Sequence, residues 1–251
     1  MKREAEGLLN QGAEAFKEAG GSISVSSDSR HLDLSRNELR HHGAEILVQE
    51  ALAAIVPDRI NDYVDSGPAM ARVSRLLGVS EERLAFAPGS DAAIQCICQA
   101  LSYQARGVTS LAPSYEAWTV YAALRRLPHR IVVDPRAEDR RIDDGQPWEL
   151  LDIVSRRHNE VVAVTSPDGA LGNTLSHEFL SQLSGVCVNN ENLLVIDHCY
   201  SFFHDGVAVS LLELPAIHLV SFSKGFGMAG ARLAAVVGSE QHLAPMRASR
   251  I

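Results

Sequence analysis

Apolar residues along this chain fall into short runs, and amphipathic stretches separate most of them. The runs are Leu84–Ala87, Val108–Ala112, Ile131–Asp134, Val161–Thr165, Leu193–Asp197, His218–Phe222 and Leu233–Val237. Between them the pattern predicts helices over Asp91–Ser102, Tyr115–Leu127, Trp148–Arg157 and Ser176–Leu183. Upstream, residues 3–19 read as a helix ended by Gly20-Gly21, residues 43–57 as one stopped near Pro57, and residues 66–78 as one ended by Gly78. Short apolar runs alternating with amphipathic helices indicate βαβ units and a mostly parallel sheet. The expected fold is therefore α/β, a three-layer α/β/α sandwich. The charge-rich stretch Asp134–Gln146 reads as a solvated loop, and there is neither an internal repeat nor a low-complexity segment.

Composition narrows the function more than the fold. A chain of 251 residues with 46% hydrophobic and 22% charged residues has the make-up of an ordinary soluble globular protein. Its net charge of −8 argues against nucleic acid as a partner, so an anionic ligand has to be held by local positive groups. The charged residues Met1-Lys2-Arg3-Glu4-Ala5-Glu6 lead into a helical pattern without the apolar core of a signal peptide. No stretch approaches the length that spans a membrane. A cytoplasmic chain without a membrane partner is expected. The four cysteines, Cys96, Cys98, Cys187 and Cys199, read as buried free thiols; Cys96-x-Cys98 lacks the second ligand pair of a zinc site. The ten histidines show no ligand spacing.

Parallel sheets bind ligands beyond the carboxyl ends of their strands, which directs attention to the residues after each apolar run. After the first come Gly89, Ser90 and Asp91, opening a helix. Bare amides behind a glycine make an anion cradle, although a plain capped helix reads the same way. After the second comes Tyr115, a plate for a flat ligand or a core residue. With Trp118 and Tyr121 it also falls at helical spacing, which suits a buried face. After the fifth comes Asp197, with Tyr200 three residues on. A carboxylate at the end of a buried strand is costly unless paired, and a protonated ring nitrogen would pair it. After the sixth come Ser221, Ser223 and Lys224, followed by Arg232; two hydroxyls and a guanidinium suit a phosphate. Lys224 is one of three lysines among 23 basic residues, and no other follows Lys17. A lysine, unlike an arginine, can shed its proton when desolvated and condense with an aldehyde to a Schiff base. Together these groups suit an aldehyde on a pyridine ring that bears a phosphate, which is pyridoxal 5′-phosphate.

On these residues the chain resembles the fold-type I pyridoxal-phosphate enzymes, and among them the class I/II aminotransferases of histidinol-phosphate type. The resemblance covers the chain from about Leu32 onward. It is strongest over Ser221-Phe222-Ser223-Lys224-Gly225-Phe226-Gly227-Met228-Ala229-Gly230-Ala231-Arg232-Leu233. It implies that Lys224 carries the covalent link to pyridoxal 5′-phosphate and that Ser221, Ser223 and Arg232 hold the phosphate. It further implies that Asp197 binds the pyridine nitrogen, Tyr200 the ring hydroxyl, and Tyr115 stacks on the ring, with Gly89, Ser90 and Asp91 as phosphate cradle. Tyr63, in Asn61-Asp62-Tyr63-Val64-Asp65, matches a tyrosine that reaches the neighbouring subunit's phosphate, which implies a homodimer. Asn37-Glu38 is similar to the family's Asn-Glu near the substrate entrance. The implied activity is transfer of an amino group between an amino acid and a 2-oxo acid. Lyase, decarboxylase and cyclase chemistry on the same scaffold remains open. The implied organisation is an N-terminal helical arm over 1–30, a cofactor-binding large domain over 31–238, and the start of an interdomain helix over 239–251, with the small domain absent.

The chain departs from this family in two ways. The family's Asn-Pro-x-x-Pro-x-Gly loop has a second asparagine that donates to the ring hydroxyl. In Ser166-Pro167-Asp168-Gly169-Ala170-Leu171-Gly172 that place is Gly169. The family also carries a substrate-binding arginine in its small domain, to which no residue here corresponds, so a catalytically impaired cofactor binder is an alternative. A rival of another class is a dinucleotide site, since Gly225-x-Gly227-x-x-Gly230 matches its glycine fingerprint. That fingerprint has to open a helix, whereas Leu233–Val237 reads as a strand.

Overall fold

A computed structural model of the chain describes residues 37–39, 42–55, 63, 65–101, 105–135, 137, 145–203 and 206–248. The helix expected over 3–19, and with it the arm over 1–30, lies outside them. Seven strands make one sheet: β1 (Leu84–Ala87), β2 (Gly107–Ala112), β3 (His129–Val133), β4 (Glu160–Thr165), β5 (Leu193–Asp197), β6 (Ile217–Ser221) and β7 (Ala234–Val237). Their order is β1-β7-β6-β5-β4-β2-β3. Every pair is parallel except the two made by β7, which runs against β1 and β6. The helices are α1 (His42–Ala53), α2 (Gly67–Leu77), α3 (Ser90–Leu101), α4 (Ala117–Leu124), α5 (Trp148–Ser155), α6 (His177–Asn189), α7 (Val209–Leu212) and α8 (Glu240–Ala248); α4, α6 and α7 return the chain between strands that are parallel neighbours.

Alternation along the strands sorts the helices into two layers. Ala85, Val161, Ala163, Val195, Leu219 and Val236 face one way, onto α3, α4 and α8 through Ile94, Ile97, Trp118 and Leu243. The residues between them face the other way. Val162, Val164, Leu194 and Ile196 pack on α5 and α6 through Leu150, Val154, Phe179 and Leu183. Leu84, Val220, Ala235 and Val237 pack on α2 and α7 through Val73, Leu77 and Leu212. The three-layer sandwich is thus as expected, and Trp118 is fully buried on the inner face of α4. Each such side chain removed from water contributes about 1.5–3 kcal/mol.

The ends of the elements follow local chemistry. Gly78 closes α2 at φ 68°, a left-handed turn that favours glycine, with its N–H on the Ser74 carbonyl. Ser176 caps α6 by accepting from the Phe179 N–H at 3.1 Å. That helix runs past the expected Leu183 to Asn189, through Ser184 and Gly185, because Cys187 is fully buried on its core side. In contrast, α4 is shorter than Tyr115–Leu127: Tyr115 stays in the preceding loop, and Arg126 turns left-handed at φ 57°. Strand β3 begins two residues earlier than expected, because His129 and Arg130 pair with Val108 and Thr109 although they are polar. The one-turn helix α7 was not expected. All four cysteines are buried and free. No helix among the described residues is long and apolar enough to cross a membrane.

Candidate active site

The carboxyl ends of β1, β2, β4, β5 and β6 open on one cavity of about 670 Å³. Since β7 runs the other way, Arg232, two residues before its start, arrives at the same end. The antiparallel strand is therefore what brings a guanidinium to a rim otherwise built from parallel strand ends. Lys224, half-buried in the turn after β6, lines this cavity together with Asp197, Tyr200, Tyr115, Ser223 and Arg232.

Asp197 ends β5 and is 2% exposed. One carboxylate oxygen accepts from the Cys199 N–H at 2.9 Å. Burial pushes the carboxyl above the usual carboxylate range; the N–H and thiol of Cys199 pull it back, and Asp91 adds to the push. No ion pair reaches Asp197 among the described residues. A carboxylate held this way is stabilised by any cation in the cavity facing it, and a protonated ring nitrogen is such a cation. The Cys199 thiol binds Asp197 on one side and the Ser90 and Ser221 hydroxyls on the other, and burial and Asp197 push it well up. It is a neutral donor that helps to fix the carboxylate.

The opposite end of the cavity brings together a glycine turn, the start of a helix and a guanidinium. Gly89 takes φ 86°, a turn that favours glycine, and α3 begins at Ser90 with its free amides. A Cβ at Gly89 would lie 2.6 Å from Arg232 Nη2, so the guanidinium rests directly on the glycine backbone. Arg232 reaches Asp91 Oδ2 at 3.5 Å and is half exposed, which leaves most of its fork for another partner. Arg232 itself is left-handed at φ 49°, the bend that turns the chain into β7. Tyr115 forms a wall between the two ends, and its hydroxyl donates to Asp91.

Tyr200 lies across Gly169. A Cβ at Gly169 would sit 2.5 Å from the phenol Cε2 and Cζ and 2.6 Å from Oη, so no side chain fits there while the ring holds its place. The loop under it is fixed by Asp168, whose carboxylate accepts from the N–H groups of Ala170, Leu171 and Asn173 at 2.9, 2.6 and 3.1 Å. On the other side Asn37 Nδ2 donates to Tyr200 Oη at 3.0 Å.

Three of the expected site residues do not line the cavity. Gly89 is buried behind Arg232. Ser221 is 1% exposed, with its hydroxyl taken by the Ser223 N–H at 3.2 Å and by Cys199; it shapes the turn and does not face the cavity. Tyr63 is fully exposed and outside this chain's own cavity; Asn61 and Asp62 lie outside the described residues. From the sequence Cys199 reads only as a buried free thiol, and Asp168 as part of a loop lacking its asparagine; the placement of Cys199 between Asp197 and Tyr200 is the signal that could have found it. The glycine fingerprint opens no helix: a 3-10 turn (Ala229–Ala231) and then β7 follow it. Gly225 is there because a Cβ would meet Phe202 Cβ at 2.5 Å.

Below the cavity, His198 and His218 are both buried. His198 Nε2 is 3.1 Å from His218 Nδ1, and His218 Nε2 is 3.3 Å from the Leu214 carbonyl. Only a protonated nitrogen can serve a carbonyl, so His218 carries its proton on Nε2 and turns an accepting Nδ1 toward His198, which also meets the Ser166 carbonyl. Burial lowers the two rings to about 3 and about 4, and both are neutral near pH 7.

The chain is similar to known proteins across this same region. It is 28% identical over 219 residues to histidinol-phosphate aminotransferase 2 of Archaeoglobus fulgidus, covering 85% of this chain and 59% of that protein. It is 26% identical to histidinol-phosphate aminotransferase of Syntrophotalea carbinolica, covering 81% and 56%. The chain thus spans under two thirds of the length of these relatives. In structure it resembles histidinol-phosphate aminotransferase of Sinorhizobium meliloti, solved in complex with pyridoxal-5′-phosphate, with a TM-score of 0.65, 23% identity, and coverage of 83% of this chain and 56% of that one. It also resembles aminotransferase AspB of Helicobacter pylori, with a TM-score of 0.67, 19% identity, and coverage of 81% and 58%. The sequence profile of aminotransferases of class I and II matches residues 29–249, and the chain belongs to that family.

Proposed function

We propose that this chain binds pyridoxal 5′-phosphate at the carboxyl ends of the strands and moves an amino group between an amino acid and a 2-oxo acid. The observation that carries this is the presence, in one cavity, of Lys224 and a buried carboxylate, Asp197, that no ion pair reaches among the described residues. Arg232, Ser223 and the first amides of α3 would hold the phosphate, Tyr115 the ring face, Asp197 the ring nitrogen and Tyr200 the ring oxygen. When bound, the cofactor supplies an aldehyde for the Lys224 amine and a ring that accepts an electron pair from the substrate's α-carbon. Asp197, as an anion, keeps the facing ring nitrogen protonated. Lys224 Nζ takes the α-proton and returns it one atom away. The relatives are named for histidinol phosphate, which makes an amino phosphate the first substrate to try.

A cytoplasmic homodimer goes with this reading. Ile46, Leu47, Leu52 and Ile55 on and just after α1 are 41–67% exposed, an apolar surface that a second copy would cover, and Tyr63 follows it. Four free thiols suit a reducing compartment. The large domain over 31–238, leading into α8, is the unit proposed to carry the cofactor.

Borohydride reduction of the chain loaded with pyridoxal 5′-phosphate should leave a pyridoxyl group on Lys224, read by peptide mass. Adding histidinol phosphate or glutamate before reduction should convert the cofactor to its amine form and prevent the label. An unlabelled Lys224 would falsify the assignment. Labelling without conversion by any amino acid would favour the impaired binder.

A further inference from the structure

We propose that Asn37 is a positioning residue for the cofactor's ring oxygen. Acting through Tyr200, its amide holds the phenol so that the hydroxyl proton turns into the cavity. The role rests on the pyridoxal-phosphate reading above but concerns a residue outside the strand-end motifs.

Asn37 comes from a segment 163 residues away from Tyr200 in the chain, yet its Nδ2 lies 3.0 Å from Oη. Both residues line the cavity. The Asn37 backbone is left-handed at φ 50°, a region where asparagine is far more at home than branched or bulky residues. Backbone and amide therefore ask for the same residue. A phenol oxygen has one proton to give and room to accept. Burial keeps the Tyr200 hydroxyl protonated, with Cys199, Asp197 and Asp168 as the acidic groups acting in the same direction and Asn37 pulling it down. An amide N–H on one side of Oη drives the phenol's own proton to the other side.

The remaining directions are closed. The ring rests on Gly169, where even a methyl group would collide with it, and stacks at 6.3 Å and 22° on Phe203. The cavity is left. An asparagine at position 169, in the loop under the phenol, cannot coexist with this placement. The donor arrangement of this chain is thus a single phenol, aimed by an amide from the N-terminal side.

Two variants separate the amide from the backbone turn. Asn37→Gly keeps the left-handed turn and deletes the donor; Asn37→Asp keeps the turn and offers an acceptor instead. Each would be loaded with pyridoxal 5′-phosphate and its visible absorption titrated against pH. A ring oxygen that loses an aimed donor becomes more basic and holds the neighbouring proton more tightly. The midpoint should rise by about half a pH unit or more in Asn37→Gly, and further in Asn37→Asp. In a Tyr200→Phe background Asn37→Gly should add nothing, because the phenol is the only route. Normal loading with an unmoved midpoint, or shifts that add in the double variant, overturns the proposal and leaves the proposed function standing. A wild-type chain that takes up no cofactor overturns both.

Discussion

The two ends of the sheet use polar side chains in opposite ways. At the amino ends of β4 and β5, Asn192 accepts from the Glu160 N–H at 2.9 Å and donates to the Arg157 carbonyl at 2.9 Å and the Val154 carbonyl at 3.4 Å. Glu160 accepts from the buried Thr109 hydroxyl at 2.7 Å. These bonds tie β4 to β2 and to Asn192, and Asn192 to the end of α5 and the turn after it. At the carboxyl ends, four residues along β5 from its start, Asp197 is just as buried, no ion pair reaches it among the described residues, and Lys224 and Arg232 line a cavity with it. Both ends bear polar residues at strand termini; at the second, a buried carboxylate faces a cavity without an ion pair among the described residues.

The sharpest break of this contrast is at Asp197. Asp197→Asn removes the anion and keeps the shape. Amino-group transfer, measured as kcat/KM, should fall about 10²–10³-fold, the scale of losing one partner of a buried ion pair. The thermal midpoint of the cofactor-free chain should stay level or rise, since burying a neutral amide costs less than an unpaired carboxylate. A large loss of stability in the cofactor-free form would show that the carboxylate already has its partner within the fold.

Asn192→Ala is the mirror experiment. It leaves the Glu160 N–H and the Arg157 carbonyl without their side-chain partner, while the Val154 carbonyl keeps the Arg157 N–H and the Asn190 amide, and it should cost about 2–4 kcal/mol in denaturant unfolding. Its affinity for pyridoxal 5′-phosphate should match wild type, because the change is at the far end of the strands. A weakened cofactor site with intact stability would erase the distinction between the two ends.

Between the ends, the His198–His218 pair gives a pH test. Unfolded, both rings titrate near 6.5; folded, burial holds them at about 3 and about 4. Below 6.5 the unfolded chain gains protons that the folded rings refuse. Their contribution to stability is therefore complete above that pH and is lost as pH falls toward 4. At pH 5 the loss is roughly 2 kcal/mol for each ring. His218→Gln should flatten the fall in denaturant stability between pH 7 and pH 5, and an unchanged slope would mean the rings are accessible to solvent.

The strand ends were readable in the sequence because chemistry and pattern coincide there. Asp197, Lys224 and Arg232 each flank an apolar run that the sheet buries. What was not readable depended on distance through space. Asn37 meets Tyr200 from far along the chain. Ser221 looked equivalent to Ser223, yet both are buried and only Ser223 lines the cavity, the Ser221 hydroxyl being taken by the Ser223 N–H and Cys199. Gly169 read as an asparagine lost, whereas the structure shows a phenol occupying the space. Element edges went astray where polar residues such as His129 pair within the sheet, or where Gly185 sits inside a helix held by Cys187. Local pattern carries no record of either.

The smallest effect sharpens the comparison from the ligand's side. Arg232 is half exposed, and its contact with Asp91 at 3.5 Å is a surface ion pair of little worth to the fold. Arg232→Ala should leave unfolding within about 0.5 kcal/mol of wild type. The affinity for pyridoxal 5′-phosphate should nevertheless fall about tenfold, the loss of one charge-assisted contact to a phosphate. Affinity for pyridoxal, which lacks the phosphate, should not change. That difference between two aldehydes locates the guanidinium at the phosphate end and Asp197 at the ring end of one bound molecule. Equal losses for both would put Arg232 elsewhere in the site.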